Sequence, residues 1–321
     1  MWIKEPDLIS TVPRFKDPLY GRNNDNMNSE PARTIFGEYS YQIPAISKLV
    51  ERLEPFRYHF MPEDMYRRFL AESPMPYTAQ SIYCTEILRR AHIAAVTSLI
   101  RADRWLKGIL NAFDQNNYYV FAACFRGFLE FSADSHYVLA PIPRTLSEIA
   151  EPLCICLNKV PRTELYLFNE LEDRLIHYSH ARRIGKSEAV PPTHKAKTMR
   201  EYLDYLQEHG EAALHDFYSE LCEITHPAAD SVLCMLETTD GSNITMNKEF
   251  DRDMMIYLSQ RNSASTYWLF AQCISPALMT LGLINLMGIP ELKTAALDHI
   301  DLSNVGRWSE FSEKVSRAFG V

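Results

Sequence analysis

Residues 116–140, NNYYVFAACFRGFLEFSADSHYVLA, decide how the rest of the chain is read. Tyr118, Tyr119, Val120, Phe121, Phe125, Phe128, Leu129, Phe131, Tyr137, Val138 and Leu139 leave almost no face of a helix without a large apolar side chain. A helix of that kind belongs in the middle of a domain or in a membrane. Into it the sequence sets Arg126, Glu130 and Asp134 at i, i+4 and i+8, which stacks them on one side. Ala122, Ala123, Gly127 and Ala133 beside them are small, so the stripe is expected to run along the floor of a groove. Buried charge survives only when paired and hydrogen-bonded, and the stripe therefore demands a facing partner.

Helical spacing continues on both sides. Residues 78–111 carry Ile82, Ile87, Leu88, Ala91, Val96, Leu99, Ile100, Leu106 and Leu110, many at three- and four-residue steps, which predicts one long helix. Arg89, Arg90, Arg101, Arg104 and Lys107 lie mostly on its other side and read as a solvated face. A turn at 114–117 makes this helix and the next antiparallel neighbours. Further helices are expected over 46–56, over 63–70 behind Pro62, over 148–158 behind a Thr145–Glu148 capping box, and over 164–183 behind Thr163. A second capping box, Thr198 with Glu201, starts a helix that Gly210 stops, and 211–225 is amphipathic. Pro227 is placed to open a helix reaching about 236, and two last helices cover 250–287, kinked at Pro276, and 308–319. Residues 244–246 are the one convincing place for strand. Residues 1–40 hold Pro6, Pro13, Pro18 and Pro31 among asparagines and no period. The expected fold is all-α: a multi-helix bundle with an extended N-terminal arm (1–45), a single helical domain (46–321) and little or no strand.

Composition agrees with that class. Of 321 residues 46% are hydrophobic, enough for a substantial core, and only 11 are Gly, which favours long helices over tight turns. A formal charge of −8 excludes general avidity for nucleic acid, so any such binding needs a local patch. Residues 181–200 offer one, with six Lys or Arg against one Glu. Seven cysteines form no Cys-x-x-Cys pair and read as reduced thiols packed as small hydrophobes, which points to a cytoplasmic protein. The N-terminus has no apolar core of the signal-peptide kind. Residues 262–290 contain no charge and are long enough to span a bilayer. Gln272, Ser275, Pro276, Thr280 and Asn285 interrupt that run and no basic cluster flanks it on one side, so a buried second central helix is expected and no membrane contact.

The chain lacks a Gly-rich phosphate loop, a Gly-x-Ser-x-Gly elbow and a His-Glu-x-x-His pair. Glu-x-x-His occurs once, as Glu223 and His226; with Glu86, Glu130 and Asp134 it sketches a di-metal oxidase site, but the second motif such bundles need is missing. No metal or cofactor is expected. Arg174, His177, His180 and Arg182 gather at the end of one helix and run into the basic loop. Arg and His together can hold a phosphodiester and move a proton on a ribose hydroxyl; a solvated helix end, with cations favoured by the dipole, is the competing reading.

Arg126-Gly-Phe-Leu-Glu130, followed about 90 residues later by Tyr218-Ser-Glu-Leu-Cys-Glu-Ile-Thr-His226-Pro227, resembles the HEPN superfamily (higher eukaryotes and prokaryotes nucleotide-binding), especially abortive-infection-like members, over roughly residues 80–240. The resemblance implies an all-α bundle, often dimeric, which engages RNA or a nucleotide. In many members it is a metal-independent endoribonuclease of toxin or phage-defence systems. Active members carry Arg, four to six residues, then His. Before His226 those positions are Leu221, Glu220 and Ser219, so the signature is missing there. Arg174 and His180 have the spacing on another helix, and Arg126 can supply the guanidinium in space. The expected site is Arg126, Glu130 and His226, with Arg174, His180, Arg182, Arg183, Lys186, Lys195 and Lys197 guiding phosphate. The alternatives are a non-catalytic scaffold or sensor subunit of a defence complex, in which the stripe fixes helix register, a di-metal oxidase, and membrane attachment through 262–290.

Overall fold

Nearly every apolar run of the sequence folds as a helix. The computed structural model describes residues 14–15, 30–72, 76–161, 165–185, 187–208, 213–238, 243–247 and 249–321. In chain order they form α1 (Glu30–Phe36), α2 (Gln42–Leu53), α3 (Glu63–Glu72), α4 (Pro76–Asp114) and α5 (Tyr118–Leu139). Then come α6 (Ile142–Glu148), α7 (Ala150–Leu157), α8 (Asn169–His180), α9 (Met199–Glu208), α10 (Leu214–Thr225) and α11 (Asp230–Leu233). The last helices are α12 (Phe250–Arg261), α13 (Ser263–Leu286) and α14 (Trp308–Phe319). Two short antiparallel pairs complete the fold: β1 (Arg14–Phe15) with β4 (Ile300–Asp301), and β2 (Leu236–Thr238) with β3 (Ile244–Met246).

α4, α5 and α13 pack on one another as the centre of the bundle. The turn between α4 and α5 uses Asn116 in the left-handed region (φ 49°), and Asn117 caps α5 by accepting from Val120 N–H at 3.1 Å. Phe121, Phe125, Phe128 and Leu129 of α5 are buried, as expected of so apolar a helix. α13 is the one described helix long and apolar enough to cross a membrane, and 89% of its most apolar window lies inside the protein. α9 and α10 pack on α5 from the outside, and this places the site.

Several expectations are corrected. The helical part begins before residue 46: α1 buries Ala32, Ile35 and Phe36, so residues 30–45 belong to the packed body. Of the expected arm only residues 14–15 are otherwise described, and they add a strand to Ile300–Asp301; the rest lies outside the described residues. The Thr145–Glu148 capping box does not form, because α6 starts at Ile142 and Thr145 Oγ1 donates back to the Pro141 carbonyl at 3.0 Å. α8 starts at Asn169 rather than 164, and Thr163 is outside the described residues. Gln80 holds both backbone groups of Tyr166, and Tyr83 accepts from Phe168 N–H, so this backbone pairs with α4 side chains and is withdrawn from helix formation. Pro227 opens no helix, and Leu236, the expected end of that helix, starts β2. The interruption of 250–287 falls at Asn262, whereas α13 runs through Pro276. By contrast, Thr198 and Glu201 form the expected reciprocal cap.

One core histidine has a measurable consequence. His92, fully buried, lies between the Tyr58 hydroxyl at Nδ1 (2.7 Å) and Thr294 Oγ1 at Nε2 (2.9 Å). Burial holds its pKa down at about 4, so it folds neutral. Unfolded chain takes up that proton below about pH 6.5 while folded chain does not, so the contribution is complete above that pH and is lost as pH falls toward 4. The loss is expected to reach about 2–3 kcal/mol. Urea midpoints at about pH 7.5 and about pH 5 should therefore separate more in the wild type than in His92→Gln. Equal separations would refute this.

Candidate functional site

Helix α5 aims Arg126, Glu130 and Asp134 at α9, α10 and the outer side of α4, into an open cleft of about 480 Å³. Gly127 and Ala123 form part of its floor, and Arg101, Trp105, Phe131, Met199, Tyr202 and Thr225 stand around it. The stripe is half-buried rather than sealed, with the Arg126 side chain 26% exposed and Glu130 38%.

Each charge of the stripe has its partner. Arg126 Nε donates to Glu130 Oε1 at 2.9 Å along the helix, and its Nη1 donates to Thr225 Oγ1 at 3.2 Å. The same Nη1 lies 2.9 Å from His226 Nε2. An arginine only donates, so Nε2 accepts and the imidazole proton sits on Nδ1. Tyr218 donates from its hydroxyl to Glu130 Oε1 at 3.1 Å and lays its ring 5.6 Å from the guanidinium carbon. Burial, then the Glu130 charge, pushes the Tyr218 pKa up to about 12, so the phenol stays protonated. Around Arg126, burial opposes the charge most strongly, but the hydrogen bond to Glu130 and the neighbouring Cys222, Tyr218 and Glu130 groups together leave its pKa raised. Asp134 is held by Arg101 at 2.9 Å. The expected residues Arg126, Glu130 and His226 are thus brought together, with the guanidinium coming from α5 and the imidazole from the end of α10.

The phosphate-guiding set is not assembled around them. Arg174 donates to the Tyr137 carbonyl at 2.9 Å and stacks on that ring, locking α8 to α5. Arg182 is paired with Glu188, its backbone bridged to Lys195. His180 hydrogen-bonds Ser179 and stacks on His194. Lys197 lies over the Tyr137 ring, 4.0 Å from Glu201. Arg183 is exposed, as is Lys195, and Lys186 lies outside the described residues. His177 is buried between the Tyr202 hydroxyl and the Thr193 carbonyl, and burial lowers its pKa. Glu223 lines a different cleft from Glu130 and Asp134, and among the described residues no three His, Cys, Asp or Glu side chains are grouped to hold a metal ion.

Sequence reasoning missed the walls of the cleft. Arg101 was expected on a solvated face, yet it lines the site, pairs with Asp134 and sits over Phe131. Arg104 and Lys107 likewise flank Asp103, which is 1% exposed and accepts from Ser47. Trp105 gave no motif, but its indole lies against Gly127, where an added Cβ would come within 2.6 Å of Cζ2 and Cζ3. Gly127→Ala is accordingly expected to destabilise the protein by about 1–2 kcal/mol, overpacking outweighing the better helix propensity of Ala. Thermal unfolding checks this; a midpoint equal to or above wild type would count against the close approach.

Comparison of the chain with protein-family models, curated proteins and solved structures finds no significant match to any of the three.

Proposed function

We propose that this chain is a HEPN-like helical protein that engages RNA or a nucleotide at the Arg126 cleft and acts as a metal-independent endoribonuclease of a toxin or phage-defence system. The observation that carries the reading is the 2.9 Å contact between Arg126 Nη1 and His226 Nε2 beside an open cleft. RNA cleavage without metal needs a base at the ribose 2′-hydroxyl and a fixed cation at the phosphate. His226 offers an unprotonated Nε2 and Arg126 the cation, steadied by Glu130 and Thr225. A phosphate reaching the guanidinium draws Nη1–H away from Nε2. The freed lone pair takes the 2′-hydroxyl proton, the 2′-oxygen attacks phosphorus and the bond to the 5′-oxygen breaks. The leaving oxygen takes a proton from water, the imidazolium returns its own to water, and a 2′,3′-cyclic phosphate remains. A cytoplasmic setting and a protein partner or second copy belong to the same reading; the free state of all seven cysteines is consistent with a reducing compartment. Single-stranded RNA incubated with the purified chain in excess chelator tests it: cyclic-phosphate ends are expected, and intact RNA at every protein concentration would overturn it.

A second reading, a non-catalytic scaffold or sensor subunit, is favoured by the occupancy of Arg126. Its guanidinium is spread over Glu130, Thr225, His226 and the Tyr218 ring, as in a polar network that fixes how α10 sits on α5.

A further inference from the structure

The Arg126 cleft extends well beyond the contact between Arg126 and His226. Arg126 and Asp134 both line it, eight residues apart on α5, which sets them about 12 Å apart along the helix axis. That span is comparable with the reach from a nucleotide's 3′-phosphate to the far edge of its base. Between the two ends lie the half-buried Trp105, packed on Gly127, and the half-buried Met199. Sequence-specific RNA sites use this kind of lining, an aromatic surface for the base and polar groups for its edge.

Asp134 is fixed in place but not used up. Its Oδ2 accepts from Arg101 Nη1 at 2.9 Å, the carboxylate's one hydrogen bond among the described residues. Arg101 is itself lodged beside two rings, its guanidinium carbon 4.8 Å from the Phe131 centroid and 6.0 Å from that of Tyr178. The Asp134 side chain remains 26% exposed, so its spare acceptor capacity is open to a ligand in the cleft. A carboxylate accepts and does not donate, and its two oxygens suit a pair of N–H groups standing side by side. Guanine is the one RNA base whose Watson–Crick edge offers such a pair, N1–H and N2–H. Adenine and cytosine set an amino group beside a ring nitrogen that accepts, and uracil sets one N–H between two carbonyls. Each of those three brings a lone pair against Asp134.

We propose that Asp134 selects guanine, so that the chain cuts RNA on the 3′ side of guanosine. The nucleotide whose 2′-hydroxyl meets His226 lies along α5, with its 3′-phosphate on Arg126 and its base against Trp105. Its N1–H and N2–H donate to the Asp134 carboxylate. Asp134 touches the base and not the reacting atoms, and Arg101 positions it. This rests on the RNA reading of the cleft and adds to it the base that is read.

Isothermal titration calorimetry of the full chain with the 3′-monophosphates of guanosine, adenosine, cytidine and uridine decides it without turnover. Guanosine 3′-monophosphate should bind at least about tenfold more tightly than the other three. Inosine 3′-monophosphate, which lacks only the N2 amino group, should bind about fivefold more weakly than the guanosine ligand. Asp134→Asn should cut the guanosine preference to about threefold or less, because its amide keeps one acceptor oxygen and puts a donor where the other stood. On RNA, the cyclic-phosphate ends should be guanosine. Absence of saturable binding, affinities for the four ligands within about twofold, or an inosine ligand as tight as guanosine overturns the inference, whether or not RNA is cut. So does a preference unchanged in Asp134→Asn, or cyclic-phosphate ends spread over all four bases. Guanosine-selective binding with RNA left intact upholds the guanine subsite and overturns the endoribonuclease reading instead.

Discussion

In excess chelator the wild-type chain should cut single-stranded RNA, and His226→Ala should lower the rate about 10²–10⁴-fold, the usual worth of a positioned general base. Arg126→Ala should cost about 10²–10³-fold, because the charge developing on the phosphate loses its fixed donor. Arg126→Lys should not restore activity. One ammonium cannot reach Glu130, Thr225 and His226 from a single position as the planar fork does. Glu130→Gln should fall between, since the amide still accepts from Arg126 but no longer complements its charge. Melting temperature separates the two readings. His226 is exposed at the end of α10, so His226→Ala should leave stability within about 0.5 kcal/mol of wild type while abolishing cleavage. If wild type is inert and Arg126→Ala lowers the melting temperature strongly, the scaffold reading stands instead. Cleavage that survives in His226→Ala, assayed under the same conditions, removes the histidine from the mechanism.

Phe125→Ala should be the most damaging change to the fold, at about 3–5 kcal/mol. Phe125 is 1% exposed and packs its ring against Phe121 at 5.0 Å, Phe217 at 5.8 Å and Phe36 at 6.2 Å between centroids. Those rings come from α5 itself, α10 and α1, so one side chain joins three elements. Deleting it leaves a cavity that helices held by other contacts fill only in part. Because α10 also carries Tyr218 and ends at His226, its looser seating should reduce RNA cleavage alongside stability, whereas Phe125→Leu should retain most of both. Chemical denaturation gives the magnitude; a loss under about 1 kcal/mol would mean that α10 is held elsewhere.

Much of the fold is legible before any coordinates. The i, i+3, i+4 spacing of α4 and α5, the Thr198–Glu201 box and α14 need only the period of a helix and the chemistry of its ends. Misreadings fall where distant side chains take over the backbone. Thr145 could have capped a helix, but the chain had already turned helical at Ile142. The segment before α8 could have been helical, but Gln80 and Tyr83 bind its peptide groups. Local propensity is worth tenths of a kcal/mol per residue, and a pair of tertiary hydrogen bonds exceeds it.

The candidate site divides in the same way. Sequence by itself determined that Arg126, Glu130 and Asp134 share one face of a helix, because 3.6 residues per turn leaves no other arrangement. It also determined that this face is cut into a helix most of whose apolar surface is buried; Val120, near its start, is left exposed. Only the tertiary structure decided that His226, a hundred residues away, meets Arg126 and that Arg101 meets Asp134. It likewise decided that Arg174, correctly spaced from His180, is spent on the Tyr137 carbonyl. Helical periodicity specifies which residues face together; which faces meet is set by how α4, α5, α9 and α10 interdigitate, through contacts such as Trp105 on Gly127 that no local spacing encodes.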